Sequence, residues 1–212
     1  MVKNFNEQDY DEYKNNFDTL KYIFETFTGT MSTLYPYINS LYDYIKDKYK
    51  EKPTELNSKF LYISSQNLGD VFDYFKKYDE ALKAYTEAFF LNGNLDLILK
   101  ILMIQILQLK KNNRKMAIIA NRKFSEISKE IHHINFFTIN DQILQPSIAT
   151  EYFQSFLNLS NNLLNFTEPA MKKKQQKPII KKINLTIKTL MNKGINLNIF
   201  NNELKKLFLN LE

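Results

Sequence analysis

Cysteine is absent from the chain, and with it disulfides, thiolate metal sites, iron–sulfur clusters and cysteine nucleophiles. Histidine occurs only twice, at the adjacent positions His132 and His133, so imidazole acid–base chemistry has one place to reside. The four glycines, Gly29, Gly69, Gly93 and Gly194, are scattered, which excludes both common glycine-rich phosphate loops. With only five prolines as well, tight turns are scarce, and a 212-residue chain with few turns is predicted to form long helices. These shortages remove most enzyme classes. No catalytic residue, metal ligand set or cofactor is expected.

Long uninterrupted apolar runs are missing too. The longest, Leu95–Leu109, is broken by Asp96, Lys100, Gln105 and Gln108 and falls short of the ~20 residues of a spanning helix. A buried central helix is predicted there, and no transmembrane segment. The N-terminus is acidic and has no apolar core, unlike a signal or transit peptide. The expectation is an intracellular protein of the cytoplasm or an organelle matrix, not a secreted one.

What the chain does carry is apolar residues at alternating spacings of three and four, the mark of one-faced helices. Tyr10, Tyr13, Phe17, Leu20, Phe24 and Phe27 predict a first helix over residues 6–28, stopped by Gly29. A second carries Leu34, Tyr37, Ile38, Leu41, Tyr44 and Ile45, with Pro36 in its first turn and Pro53 beyond its end. Thr54 is placed to cap a third running to Lys77, and Asp79 a fourth over Glu80–Leu91 that Asn92-Gly93 ends. Leu95–Leu109 is the fifth. The sixth, 113–131, turns Met116, Ile119, Ala120, Phe124 and Ile127 inward. Residues 135–145 have no period and read as a connection. Ser147 is the expected cap of a seventh helix bearing Ile148, Tyr152, Phe153, Phe156, Leu159, Leu163 and Leu164. Short helices over 179–192 and 199–211 finish the chain. The predicted class is all-α, in antiparallel helical hairpins, with a helical domain over 1–168, a basic linker over 169–177 and a C-terminal helical extension over 178–212.

Residues 62–95 contain Leu68, Gly69, Phe72, Tyr78, Ala81, Tyr85 and Ala88. Gly69, Ala81 and Ala88 are small enough for two antiparallel helices to cross closely, while Leu68, Phe72 and Tyr85 fill the space around them. This pattern resembles a tetratricopeptide repeat, a 34-residue helical hairpin. Ser65 departs from it where an aromatic is frequent, and Gly93 where proline often follows. Downstream, Leu102, Met103 and Ile106 keep the register but Lys115 breaks it, unless a two-residue insertion brings in Ala117; upstream, Asp47 and Glu51 break it. Leu68-Gly69-Asp70 followed by tyrosine and paired alanines also resembles the 14-3-3-like helical domains of mRNA-decay adaptors. Either resemblance implies a non-enzymatic protein-interaction adaptor, or a structural subunit of a larger complex. The Lys/Asn/Arg clamp with which some tetratricopeptide domains hold chaperone C-termini is not matched: Gln66 and Asp70 stand at its first-repeat positions.

Charge is divided unevenly. Residues 1–90 hold 11 lysines against 15 acids, whereas residues 91–212 hold 16 lysines and two arginines against eight acids. One basic cluster is Lys110, Lys111, Arg114, Lys115, Arg122 and Lys123 on the sixth helix. The other is Lys172, Lys173, Lys174, Lys177, Lys181 and Lys182, with no acid among them. Such asymmetry points to a polyanion or an acidic neighbour, so RNA is the alternative partner, making the chain an accessory subunit of a ribonucleoprotein. Few aromatics accompany these cations, so base stacking is not expected. Glu130-Ile-His-His133 has ligand spacing on one helix face, but no second copy exists to complete a metal site.

Overall fold

The computed structural model describes residues 31–209. The predicted helix over residues 6–28 and its stop at Gly29 lie outside the described residues. Within them the fold is all-α: eight α-helices, one short 3-10 turn and a two-stranded hairpin. The chain forms two compact units, one up to Asn92 and one from Gly93 onward. The units do not part at the boundaries expected near residues 168 and 177.

The first unit contains α1 (Met31–Glu51), α2 (Glu55–Tyr74) and α3 (Tyr78–Asn92). Ile38, Leu41 and Ile45 lie one above another on α1 and are buried against Phe60, Leu61, Leu68 and Val71 of α2. Pro36 sits past the first turn of α1, not within it, and is exposed. Thr54 caps α2 as predicted, its hydroxyl accepting from Asn57 N at 3.2 Å. Lys76 turns the chain into α3 at φ 60, the left-handed conformation that closes many helices. That turn is short, so α2 and α3 run antiparallel and make the most extensive helix contact among the described elements.

The second unit opens at Gly93, whose φ is +62. A Cβ at this position would lie 2.1 Å from the Phe136 carbonyl oxygen, so only glycine fits. Asn94 then caps α4 (Leu95–Lys110), accepting from Asp96 N at 2.9 Å. α4 is the buried central helix that its apolar run predicts, packed by α5 (Arg114–Glu130), α6 (Pro146–Phe166) and α8 (Asn198–Leu209). Its two glutamines are inside as well. Gln105 is pinned by Ser160, whose hydroxyl donates to Oε1 at 2.7 Å, and Asn121 of α5 donates to the same hydroxyl at 2.8 Å. One buried serine thereby fixes the register of three helices.

Three local expectations are corrected in this unit. Residues 135–145 contain β1 (Phe137–Ile139) and β2 (Gln142–Leu144), paired antiparallel across Asn140-Asp141 at φ 47 and 60. Both turn residues are left-handed, as the twist of a two-residue hairpin requires. Ser147 does not cap α6: Gln145 takes that place, with Pro146 pre-set for the first helical position. The linker expected over 169–177 is shorter: residues 169–172 lie outside the helices, and 173–177 do not. The latter start α7 (Lys173–Asn192), where Gln175 Oε1 accepts from Lys172 N at 3.0 Å and Pro178 falls on the exposed side.

Candidate functional site

The residues of the repeat-like pattern come together on α2 and α3. Leu68, Gly69, Ala81, Tyr85 and Ala88 are buried, while Phe72 and Tyr78 are half-buried. Gly69 faces the Tyr85 ring so closely that a Cβ would stand 2.5 Å from Cε1. Moving the ring aside is costly, because it is buried and its hydroxyl donates to Asp70 Oδ1 at 2.7 Å. Burial, and then the charge of Asp70, push the Tyr85 hydroxyl far above its ordinary pKa, so it stays a donor.

Beside this contact lies an open groove of about 460 Å³, to which α1, α2 and α3 all contribute. Leu68 and Phe72 form part of its floor, and Glu80 and Lys83 stand on its rim. One wall is a polar knot. Glu87 Oε1 accepts from Lys46 Nζ at 2.8 Å, Oε2 accepts from the Tyr42 hydroxyl at 2.6 Å and from Ser65 Oγ at 3.4 Å, and Lys46 also bonds the Tyr42 oxygen. Glu87 thus joins all three helices. Burial and the bond to Glu87 raise the Tyr42 pKa to about 12. Burial alone would lower that of Lys46, but the bonds to Glu87 and Tyr42 outweigh it and the net shift is upward. Both groups therefore hold their protons at neutral pH, and neither can serve as a base. The sequence marks half of this knot, since Tyr42 and Lys46 are one helical turn apart. Glu87 is far along the chain and carries no local signal.

The two basic clusters differ in their surroundings. On α5 and the end of α4, Lys110 pairs with Glu203, Lys123 with Glu126 at 2.7 Å, and Arg114 with Glu168. Arg114 also donates to the Leu164 carbonyl at 2.8 Å and to Thr167 Oγ1 at 3.1 Å, closing the end of α6. Lys111, Lys115 and Arg122 are exposed. On the second cluster, Lys172, Lys174, Lys177, Lys181 and Lys182 are all exposed, and Lys173 begins the helix. The His132 and His133 rings lie tilted by 43° with centroids 3.9 Å apart in the 3-10 turn after α5, and both residues are exposed. Among the described residues, no three His, Asp or Glu gather to hold a metal, and no helix is long and apolar enough to cross a membrane. No protein-family model matches this chain, and neither does any curated protein or solved structure.

Proposed function

We propose that the chain is a non-enzymatic adaptor or structural subunit, built around a tetratricopeptide-like hairpin, that binds another protein in the groove of its first unit. The groove is the observation that carries this reading. Its floor offers the half-buried Phe72 ring, and its rim offers one charge of each sign, Glu80 and Lys83. Neither rim charge enters an ion pair among the described residues. The occupant that complements these features is an amphipathic segment: an apolar side chain over Phe72, an acid facing Lys83 and a base facing Glu80. The polar knot supports binding over catalysis, since its lysine and tyrosine stay protonated while its carboxylate is occupied by three donors.

An RNA-associated accessory subunit is the competing reading, and it has less support. Lys110, Arg114 and Lys123 are engaged by acids of the same chain, which leaves them less to offer phosphates. A photo-crosslinking residue placed at Lys83 in the native host tests the choice. The expected adduct is a protein, insensitive to nuclease and absent when the same residue is placed at Lys59 outside the groove. An adduct that nuclease removes, or equal labelling from both positions, overturns the reading.

A further inference from the structure

Lys174, Lys177, Lys181, Lys182 and Lys188 of α7 enter no ion pair among the described residues, and all five are exposed. The acids nearest along the sequence are engaged elsewhere: Glu151 by Lys193, Glu168 by Arg114, and Glu203 by Lys110 and Lys206. No acid occurs between residues 169 and 202.

These lysines are also aligned. At about 100° per residue, Lys174, Lys177, Lys181 and Lys188 fall on one strip of α7, about 21 Å long. The opposite side carries Ile183, Ile187 and Leu190, which are buried. At the edge of the strip, between Lys181 and Lys188 along the helix, stands Leu185, 64% exposed. The helix itself gains nothing from this arrangement. Its first turns place cations at the positive end of the helix dipole, and Lys177 and Lys181 are like charges one turn apart. An anionic surface laid along the strip relieves both.

We infer that the outer strip of α7 is a docking surface for an anionic lipid bilayer, with Leu185 entering the headgroup layer. Proteins that bind single-stranded nucleic acid combine a basic groove with aromatic platforms, and this strip is the outer face of a helix with no aromatic and no arginine. A leucine among ammonium groups has no role on a phosphodiester backbone. Surface-bound helices use lysine and leucine together, the one for anionic headgroups and the other for the acyl boundary. The apolar face of α7 is already committed to the protein, so attachment is electrostatic and reversible. Each lysine at such a surface is worth about fivefold in affinity. This inference is independent of the groove and its occupant.

The test is co-sedimentation of the full chain with phosphatidylcholine vesicles, with and without about 30% phosphatidylserine. The expected result is binding only to the serine-containing vesicles, weakening with salt. The triple variant Lys177→Glu, Lys181→Glu, Lys188→Glu should lose at least about a hundredfold, at fivefold or more per lysine. Leu185→Gln, which leaves the charge unchanged, should lose severalfold. Because these side chains are exposed, unfolding midpoints and helicity of all variants should match the wild type. Absence of binding to the anionic vesicles overturns the inference, as does equal binding by the triple variant. So does a Leu185→Gln variant that binds like wild type, the pattern of charge alone. Binding of a single-stranded oligonucleotide or an acidic peptide through these lysines, without vesicle binding, overturns it in favour of that partner.

Discussion

Gly69 and Tyr85 share one space, and that pair is the tightest test of how α2 meets α3. Alanine has the better helix propensity by about 1 kcal/mol. Gly69→Ala should nonetheless destabilise the protein by roughly 1–3 kcal/mol, because the new methyl meets a ring that is 1% exposed and tethered to Asp70. Chemical denaturation measures this, and an unchanged or raised midpoint would contradict the close crossing. The contact was legible in the sequence, since Gly69, Ala81 and Ala88 are small residues in an otherwise bulky stripe. Glu87 was not, because nothing near it in the chain marks the residues it binds. Its knot has a pH signature. Tyr42 holds its proton to about 12 in the folded chain against an ordinary value of 10.0, so its contribution is complete below about pH 10 and fades as pH climbs toward 12. Lys46 acts in the same direction. Between pH 10 and 12 the unfolding midpoint of Tyr42→Phe should fall less steeply than that of wild type; parallel curves would show that the hydroxyl is not held.

Elements were legible where one side of a helix is apolar over several turns. The stripe Ile38, Leu41, Ile45 on α1 and the run that became α4 are of this kind. The β-hairpin escaped because strands of three residues are too short to show alternation, and its one local signal is the Asn140-Asp141 pair, both residues tolerant of left-handed backbone. The start of α7 escaped for a different reason. Lysines and an internal proline read as a linker, while Gln175 supplies a bond to the Lys172 N–H that composition does not reveal. Lys76 tests the turn between α2 and α3. It holds φ 60 without being glycine, so Lys76→Gly should stabilise by up to about 1 kcal/mol through relief of the left-handed backbone. A destabilised variant would mean that the Lys76 side chain contributes more than its backbone costs.

At the scale of the molecule, the uneven charge was legible as a count but its pairing was not. Lys110 finds Glu203 and Arg114 finds Glu168, partners that are adjacent only once the helices of the second unit have packed. What folding leaves uncommitted is a groove with a mixed-charge rim in the first unit and a lysine strip in the second. Affinity co-purification at mild salt, with nuclease treatment, compares the wild type with the rim swap Glu80→Lys, Lys83→Glu. Both side chains are exposed, and the swap keeps the net charge unchanged. If a protein occupies the groove as proposed, a protein partner should stay on the wild type through nuclease and be depleted about tenfold or more on the swap, the equivalent of ~1.4 kcal/mol. Equal retention by the two forms, or release of the partner by nuclease, would contradict it.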